Sequence, residues 1–278
     1  MTTIAILGAA GNMGTRACSA LKDDPEYDVL FVEAGAAGEQ KLRERGLEPT
    51  PMDEALSAAD VVLLTIPDAL IGKVAAQVVP QVKSGAMVIG LDPAAPHAGR
   101  MPVRDDVTYF FTHPAHPPIF NDEQDMEARR DFFGSGQAKQ AIVNALLQGP
   151  EEDYEKGEKI AKKLFRPILR SHRVTVEQMA ILEPALSETV AATCLTVIRE
   201  ALDEAVDRGV PAEAARDFLM GHLNVEIAIL FNEIDWQLSA GAQEAVAAAK
   251  KVIFQPDWRK VFDHDELLAS TRAITEEK

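Results

Sequence analysis

The sequence predicts an α/β fold in which a doubly wound parallel sheet is followed by an all-α C-terminal domain. Over about the first 150 residues, short apolar runs alternate with segments of helical periodicity, which is typical of strand–helix–strand units. Beyond Thr175 only helical patterns remain. A chain of 278 residues is also long enough for two domains. We therefore expect a sheet domain over 1–170 and an all-helical domain for substrate binding and dimerisation over 171–278.

The predicted strands are short and strongly apolar. The run 61–66 is apolar at nearly every position, as expected of a strand that is buried on both faces. In chain order, the predicted strands are 4–7, 29–32, 61–66, 86–91, 107–112 and 141–147. Helices are predicted between them over 13–21, 69–79 and 153–165.

Helical signals fill the rest of the chain. Thr175 and Gln178 have the spacing of a capping box, which predicts a helix start. Pro184 should end or kink that helix, because proline lacks the backbone N–H that the helix needs. Further helices are predicted over 185–208, 219–236, 243–254 and 266–274.

Composition excludes several functional classes. Lys and Arg number 28 against 44 Asp and Glu, so the formal net charge is −16, whereas general nucleic-acid binders and polybasic membrane binders are positively charged. The two cysteines, Cys18 and Cys194, predict neither a disulfide framework nor a cysteine-rich metal site. No apolar run reaches the length of a membrane span, and no basic leader precedes the first strand. We expect a cytoplasmic protein with a small-molecule substrate and no nucleic-acid or membrane partner.

A glycine-rich turn directly follows the first predicted strand and opens the first helix. Its spacing is GxxGxxG, and side-chain-free residues there let backbone N–H groups approach a pyrophosphate at the helix N-terminus. Glu33 follows Gly14 by 19 residues, close to where dinucleotide-binding folds place a carboxylate for the ribose hydroxyls. Because that carboxylate would repel a 2′-phosphate, the pattern predicts a Rossmann-type domain that binds NAD rather than NADP. The residues concerned are Gly8, Ala10, Gly11, Asn12, Met13, Gly14 and Glu33. A tight turn that serves packing alone is the alternative.

Pro67 and Asp68 directly follow the third predicted strand. In open parallel sheets, ligands bind beyond the carboxyl ends of the strands, so both residues are predicted to line the ribose or the nicotinamide. Asp68 is equally suited to cap the helix that follows it.

Two histidines stand in a proline-rich loop after the fifth predicted strand. His113 and His116 alternate with prolines that restrict the backbone, and a rigid imidazole can act as acid, base or metal ligand near neutral pH. We predict both as catalytic candidates, with His113 preferred because it is closer to the strand end. An exposed proline-rich turn without a catalytic role is the alternative.

Glu183 is an unusual charge, because it lies among apolar residues and directly precedes Pro184. A buried carboxylate must be paired, protonated or bound to a metal ion. We expect Glu183 to meet His113, either as a catalytic pair or as two ligands of a divalent ion such as Zn²⁺ or Mg²⁺. A carboxylate that only satisfies backbone N–H groups at a helix end is the alternative.

Taken together, these motifs resemble the apionate oxidoisomerases, which are NAD-dependent proteins with a phosphogluconate-dehydrogenase-like helical C-terminal domain. The segments that carry the resemblance are 8–14, 59–68, 113–118 and 181–184. The resemblance implies that NAD is bound through Gly11, Asn12, Met13 and Glu33. It also implies oxidation of a branched, D-apionate-like sugar acid and rearrangement to a 3-oxo acid of the 3-oxo-isoapionate type, which is ketol-acid reductoisomerase chemistry in the oxidative direction.

Two other functions remain open from the sequence. One is a simple or decarboxylating NAD-dependent hydroxyacid dehydrogenase on the same scaffold. The other is a non-catalytic protein that senses NAD. In each case, the apolar helical domain should bury a face against a second copy, so we expect a homodimer.

Overall fold

The computed structural model describes residues 1–276 and contains one seven-stranded sheet. The strand order is β2-β1-β3-β4-β5-β6-β7. The strands are β1 (Thr2–Leu7), β2 (Tyr27–Val32), β3 (Val61–Leu64), β4 (Met87–Gly90), β5 (Thr108–Pro114), β6 (Gln140–Gln148) and β7 (Ile168–Arg173). The helices are α1 (Asn12–Leu21), α2 (Ala36–Glu44), α3 (Met52–Ala58), α4 (Asp68–Val78), α5 (Ala94–His97), α6 (Met126–Arg129), α7 (Glu152–Leu164), α8 (Val176–Ala180), α9 (Thr193–Asp207), α10 (Ala212–Leu230), α11 (Ala240–Ile253) and α12 (His264–Ile274).

Both faces of the sheet are covered, which confirms the doubly wound arrangement. Alternate residues of β1 enter two different apolar clusters: Ala5 and Leu7 belong to one, and Ile4 and Ile6 belong to the other. Since successive strand residues point to opposite faces, the two clusters lie on opposite sides of the sheet. Complete burial of β3 and β4 explains why their sequences are continuously apolar.

One strand pairing corrects the expectation of a wholly parallel sheet. β1 to β5 are parallel, but β6 runs antiparallel to β5, and β7 is again parallel to β6. A parallel pairing requires a crossover that is usually a full helix, whereas the segment between β5 and β6 holds only the four-residue α6. The chain therefore reverses direction there.

The chain divides into two compact units, and the division differs from the boundary expected at residue 170. The first unit contains residues 1–184 and the chain from Leu267 onward, and the second contains 185–266. The first unit extends further because β7 adds to the sheet and because Val176 and Met179 of α8 are buried in its core. Leu267 and Thr271 of α12 are buried as well.

The prediction that Pro184 ends or kinks its helix is met in part, because α8 ends at Ala180 and the helical path then continues through Pro184 in wider turns. Residues Ile181–Ala192 form wide π-helical turns, and Pro184 lies inside this segment. Because proline has no N–H and its ring clashes with the carbonyl four residues earlier, a wider turn accommodates it where an α-helical turn would not.

The second unit is helical and exposes most of its apolar side chains. Across 185–266, all of which the structure describes, the buried residues are the alanines Ala185, Ala215 and Ala228.

By length and composition alone, one helical stretch, Val176–Asp207, could cross a membrane, with a mean hydropathy of 1.4 and 11% of its most apolar window buried.

Candidate active site

The carboxyl ends of the central strands border a cleft of about 450 Å³ in the first unit. Most of its lining residues lie at or just beyond the ends of β1, β3, β4 and β5, as expected for an open parallel sheet. Of the predicted site residues, the cleft brings together Gly11, Asn12, Met13, Pro67, Asp68, His113, His116 and Glu183. Gly8, Ala10 and Gly14 belong to the same glycine turn and Glu33 contacts it, but all four lie outside the lining of the cleft.

The glycine turn combines tight packing with a free helix N-terminus. Gly8 has a φ of +84°, and a Cβ atom on Gly14 would lie 2.0 Å from the Gly8 carbonyl oxygen. These two glycines are therefore needed to bring α1 against the end of β1. Gly11 caps α1 without a side-chain hydrogen bond. The N–H groups of the first helical turn, which have no partner within the helix, can therefore bind an anionic group.

Glu33 is held against this turn from the end of β2. Its Oε1 accepts a hydrogen bond of 2.5 Å from the Ala10 N–H, and a Cβ atom on Gly38 would lie 2.5 Å from its Oε2. The carboxylate is thus fixed beside the glycine turn, where the sequence predicted it to be.

His113 and Glu183 form the one close acid–base contact that joins two predicted catalytic residues in the part of the chain that the structure describes. His113 Nδ1 lies 2.7 Å from the Leu91 carbonyl oxygen, and His113 Nε2 lies 3.2 Å from Glu183 Oε2. A carbonyl oxygen only accepts, so Nδ1 carries a proton. A proton taken up by the pair can then lie either on Nε2 or on the carboxylate. The expected meeting of His113 and Glu183 is present, and the pair can hold one mobile proton.

Asp68 is a second proton-binding group in the cleft. It is the first residue of α4, since Pro67 takes the cap position. Burial, followed by the charge of Asp92, raises the pKa of Asp68 to about 6, although His113 acts in the opposite direction. Sequence reasoning missed Asp92. Its position just beyond the carboxyl end of β4, like that of Asp68 beyond β3, was the available signal.

His116 lies at the rim of the cleft in a strained conformation. Its φ of +58° falls in the left-handed region that non-glycine residues rarely adopt. Its Nδ1 lies 2.9 Å from the Phe133 carbonyl oxygen, and the two rings are 5.1 Å apart. Phe133, which also lines the cleft, was not predicted, because it lies in a loop without any periodic pattern.

The side chains of the cleft do not form a metal site. Within residues 1–276, no three His, Cys, Asp or Glu side chains are grouped so that they could hold a metal ion. The two predicted ligands, His113 and Glu183, contact each other. Two mutually paired donors fall short of the three protein ligands that a catalytic zinc ion requires.

Comparison with known proteins gives matches over the whole chain. Residues 1–119 match the family described as acetohydroxy acid isomeroreductase, NADPH-binding domain, and residues 121–275 match phosphogluconate dehydrogenase (decarboxylating), C-term. A D-apionate oxidoisomerase from Cupriavidus necator is 54% identical over 98% of this chain and 99% of its own length. One from Rhizobium rhizogenes is 53% identical over 99% of this chain and 100% of its own. The chain belongs to the D-apionate oxidoisomerase family.

A solved structure supports the same placement. A semialdehyde dehydrogenase NAD-binding protein from Cupriavidus necator, in complex with calcium and NAD, superposes with a TM-score of 0.95 at 52% identity, covering 99% of this chain and 100% of that one. The resemblance to the D-apionate oxidoisomerase family and the predicted fold class are therefore confirmed. The second family match begins at residue 121, so it includes strands β6 and β7 of the sheet and the helix α7 between them.

Proposed function

We propose that this protein oxidises a branched sugar acid of the D-apionate type with NAD and rearranges the product to a 3-oxo acid. The observation that carries this proposal is the His113–Glu183 pair, which lies in the same cleft as the free N-terminus of α1. Relatives that are 54% and 53% identical over nearly the whole chain are D-apionate oxidoisomerases.

The glycine turn fits an adenine dinucleotide. The N–H groups in the first turn of α1 can bind a pyrophosphate. Because the glycines of the turn carry no side chains, the pyrophosphate can approach the backbone closely. Glu33 favours NAD over NADP, because a fixed carboxylate beside the turn repels a 2′-phosphate. When bound, NAD supplies the acceptor for a hydride from the hydroxyl-bearing carbon of the substrate.

The residues of the cleft handle the protons of both steps. In the oxidation, the C–H electron pair leaves as hydride, and the hydroxyl proton passes to the His113–Glu183 pair. In the rearrangement, a base removes the proton of the neighbouring tertiary hydroxyl. A hydroxymethyl group then moves with its bonding electrons to the new carbonyl carbon, and the former carbonyl oxygen takes up a proton. Asp68, whose pKa is about 6, lies in the same cleft and can exchange that second proton.

The predicted divalent metal ion receives no support from the donor set of the cleft. Calcium is present in the solved relative, but His113 and Glu183 are paired with each other and lack further donors grouped with them in residues 1–276. No step of the proposed reaction therefore runs through a metal ion.

The test is a turnover assay with product identification. The purified chain is incubated with NAD and a panel of branched and linear sugar acids, with and without EDTA. NADH is followed by absorbance, and products are assigned by ¹³C NMR. We expect NADH and a rearranged 3-oxo acid from D-apionate, without loss of carbon dioxide and with equal rates in EDTA.

Each alternative gives a different result in this assay. An unrearranged 2-oxo acid or released carbon dioxide would indicate the simple or decarboxylating dehydrogenase. Binding of NAD without NADH formation from any acid would indicate an NAD-sensing protein. Loss of activity in EDTA that Mg²⁺, Ca²⁺ or Zn²⁺ restores would reinstate the metal.

We further propose that the protein is a homodimer joined through its second unit. That unit exposes large apolar side chains, including Phe231 and Trp236, each 71% exposed. Helices α9 and α11 bury no residue at all. Exposed apolar side chains in this number indicate an association face, and a second copy offers the same surface in return. Both cysteines are free, which agrees with the expected cytoplasmic location.

A further inference from the structure

Arg16 of α1 carries a buried charge that the protein leaves unsatisfied. Its two terminal guanidinium nitrogens are buried without a hydrogen-bond partner, and Arg16 is the one charged side chain in this state within residues 1–276. Burial lowers the pKa of the guanidinium, although Asp131 acts in the opposite direction. Buried polar groups in native proteins nearly always have a partner, and an unpaired buried charge is especially unfavourable. Arg16 therefore requires an explanation.

Asp131, whose charge acts on Arg16, does not supply the missing hydrogen-bond acceptor. Asp131 accepts hydrogen bonds from the backbone N–H groups of Ser135, Gln137 and Ala138, so its oxygens hold the loop that contains these residues. The rings of Phe133 and Phe165 lie 5.9 Å and 5.0 Å from the guanidinium carbon of Arg16. Such rings compensate part of the charge, but they leave the N–H donors without an acceptor.

A cavity of about 620 Å³ adjoins Arg16. Its lining includes a second arginine, Arg166, and the hydroxyl-bearing residues Ser19 and Ser135, while no Asp or Glu of the described chain lines it. The Arg166 guanidinium is exposed, its hydrogen bond to the Ala20 carbonyl is long at 3.4 Å, and Asp24 acts on it through charge alone. In a chain of net charge −16, a cavity with two cations and no carboxylate is a local reversal of charge.

We propose that this cavity binds a small oxyanion, either a carboxylate or a phosphate, which accepts hydrogen bonds from Arg16 and Arg166. The planar guanidinium matches both groups in a bidentate geometry. The Phe133 ring must rotate away before an oxyanion can reach the guanidinium nitrogens of Arg16. Because the Phe133 side chain is 54% exposed, packing leaves room for this rotation. The site is separate from the dinucleotide cleft, although Asn12 and Phe133 border both.

The test is calorimetric titration of the full chain, first free and then saturated with NAD. Sodium phosphate and sodium succinate are titrated separately at constant ionic strength, so that the two arms distinguish the two oxyanions. The variants are Arg16→Gln, Arg16→Lys and Arg166→Gln. Arg208→Gln is the matched control, because Arg208 is an exposed arginine at the end of α9 that pairs with Glu204.

We expect saturable binding of at least one oxyanion, equally in the presence and absence of NAD. Affinity should fall about tenfold or more in Arg16→Gln and Arg166→Gln, because each loses a charge-assisted hydrogen bond, and it should be unchanged in Arg208→Gln. If Arg16→Gln does not fold, Arg16→Lys still tests the fork geometry, and Arg166→Gln tests the second cation.

Three results would overturn the proposal. The first is that neither oxyanion binds saturably. The second is that binding is as strong in the Arg16 and Arg166 variants as in the parent, which would leave Arg16 as a residue that only packs between two rings. The third is that NAD abolishes binding, which would make the cavity part of the cofactor site.

Discussion

His113 and Glu183 carry the proton chemistry of the cleft, so each should be indispensable to turnover. We expect His113→Ala and Glu183→Gln each to lower kcat by about 10²–10⁴-fold, the usual contribution of a positioned acid–base group. NAD affinity should stay the same, because neither side chain belongs to the glycine turn. His172→Ala serves as the control, since His172 is exposed on β7. A His113 or Glu183 variant with parental kcat would contradict the assignment.

Asp68 predicts a definite dependence of stability on pH. Burial and then Asp92 raise its pKa from the ordinary 3.8 to about 6, so the folded state binds this proton more tightly than the unfolded state does. The contribution of Asp68 to the free energy of unfolding should therefore fall as pH rises from about 4 to about 6, and it should stay low above that range.

The matching variant is Asp68→Asn, which cannot ionise. At about pH 7 it should be more stable than the parent by about 1–2 kcal/mol, allowing for the partial exposure of Asp68, and near pH 4 the two should be equally stable. Urea denaturation at several pH values measures this difference. A variant that is less stable at pH 7, or a difference that does not change with pH, would show that Asp68 is ionised in the folded state without penalty.

At the level of residues, the sequence indicated the glycine turn and the meeting of His113 with Glu183. It did so because glycine spacing, strand ends and a charge beside a proline are local signals. Asp92 and Phe133 were missed, since their roles arise from neighbours distant in the chain. Whether Arg16 has an acceptor likewise depends on three-dimensional packing, which no spacing reveals.

Among the elements, the wide turns around Pro184 position Glu183, so replacing the proline should disturb the site more than the fold. Pro184→Ala restores an N–H and allows ordinary α-helical turns, which would shift Glu183 relative to His113. We expect kcat/KM to fall about 10²-fold, as a displacement of about 1 Å can cause, while the melting temperature is kept.

Pro211→Ala is the control for this substitution. Pro211 occupies the cap position of α10, outside the cleft, so its replacement should leave kcat/KM unchanged. Equal activity of Pro184→Ala and the parent would show that Glu183 does not depend on the π-helical turns.

Elements with strong apolar patterns were predicted, and those with weak patterns were not. β7 is an edge strand with no fully buried residue, and α2 buries only Leu42, so neither shows a clear periodicity. β6 was predicted as a strand, but the sheet was expected to be parallel and β6 is antiparallel to β5. Direction depends on the connection before the strand, and a loop with a four-residue helix carries little sequence signal.

For the molecule as a whole, the exposed apolar helices predict self-association. Sedimentation should give about twice the chain mass of 30.2 kDa. Val252→Asp, at a side chain of α11 that is 86% exposed, should weaken the dimer, because a charge would enter the buried face. Val103→Asp is the matched control in the first unit, where Val103 is 94% exposed, and it should leave the mass unchanged. A monomer mass for the parent chain would contradict the proposed assembly.

The broad division into a sheet part and a helical part could be predicted, while the path of the chain between them could not. Loss of strand-like runs after Thr175 indicated the helical region. The return of α12 to the first unit depends on tertiary contacts such as that between His97 and Thr271, whose side chains lie 3.0 Å apart. Helical periodicity is the same whichever unit a helix joins.

The most direct test of the account is a crystal structure of the chain with NAD and an unreactive analogue of a branched sugar acid. We expect the pyrophosphate on the N–H groups of Asn12 and Met13, the adenine ribose beside Glu33, and the nicotinamide ring facing His113 and Glu183 across the analogue. A nicotinamide ring outside this cleft, or an analogue bound beyond reach of that pair, would contradict the account.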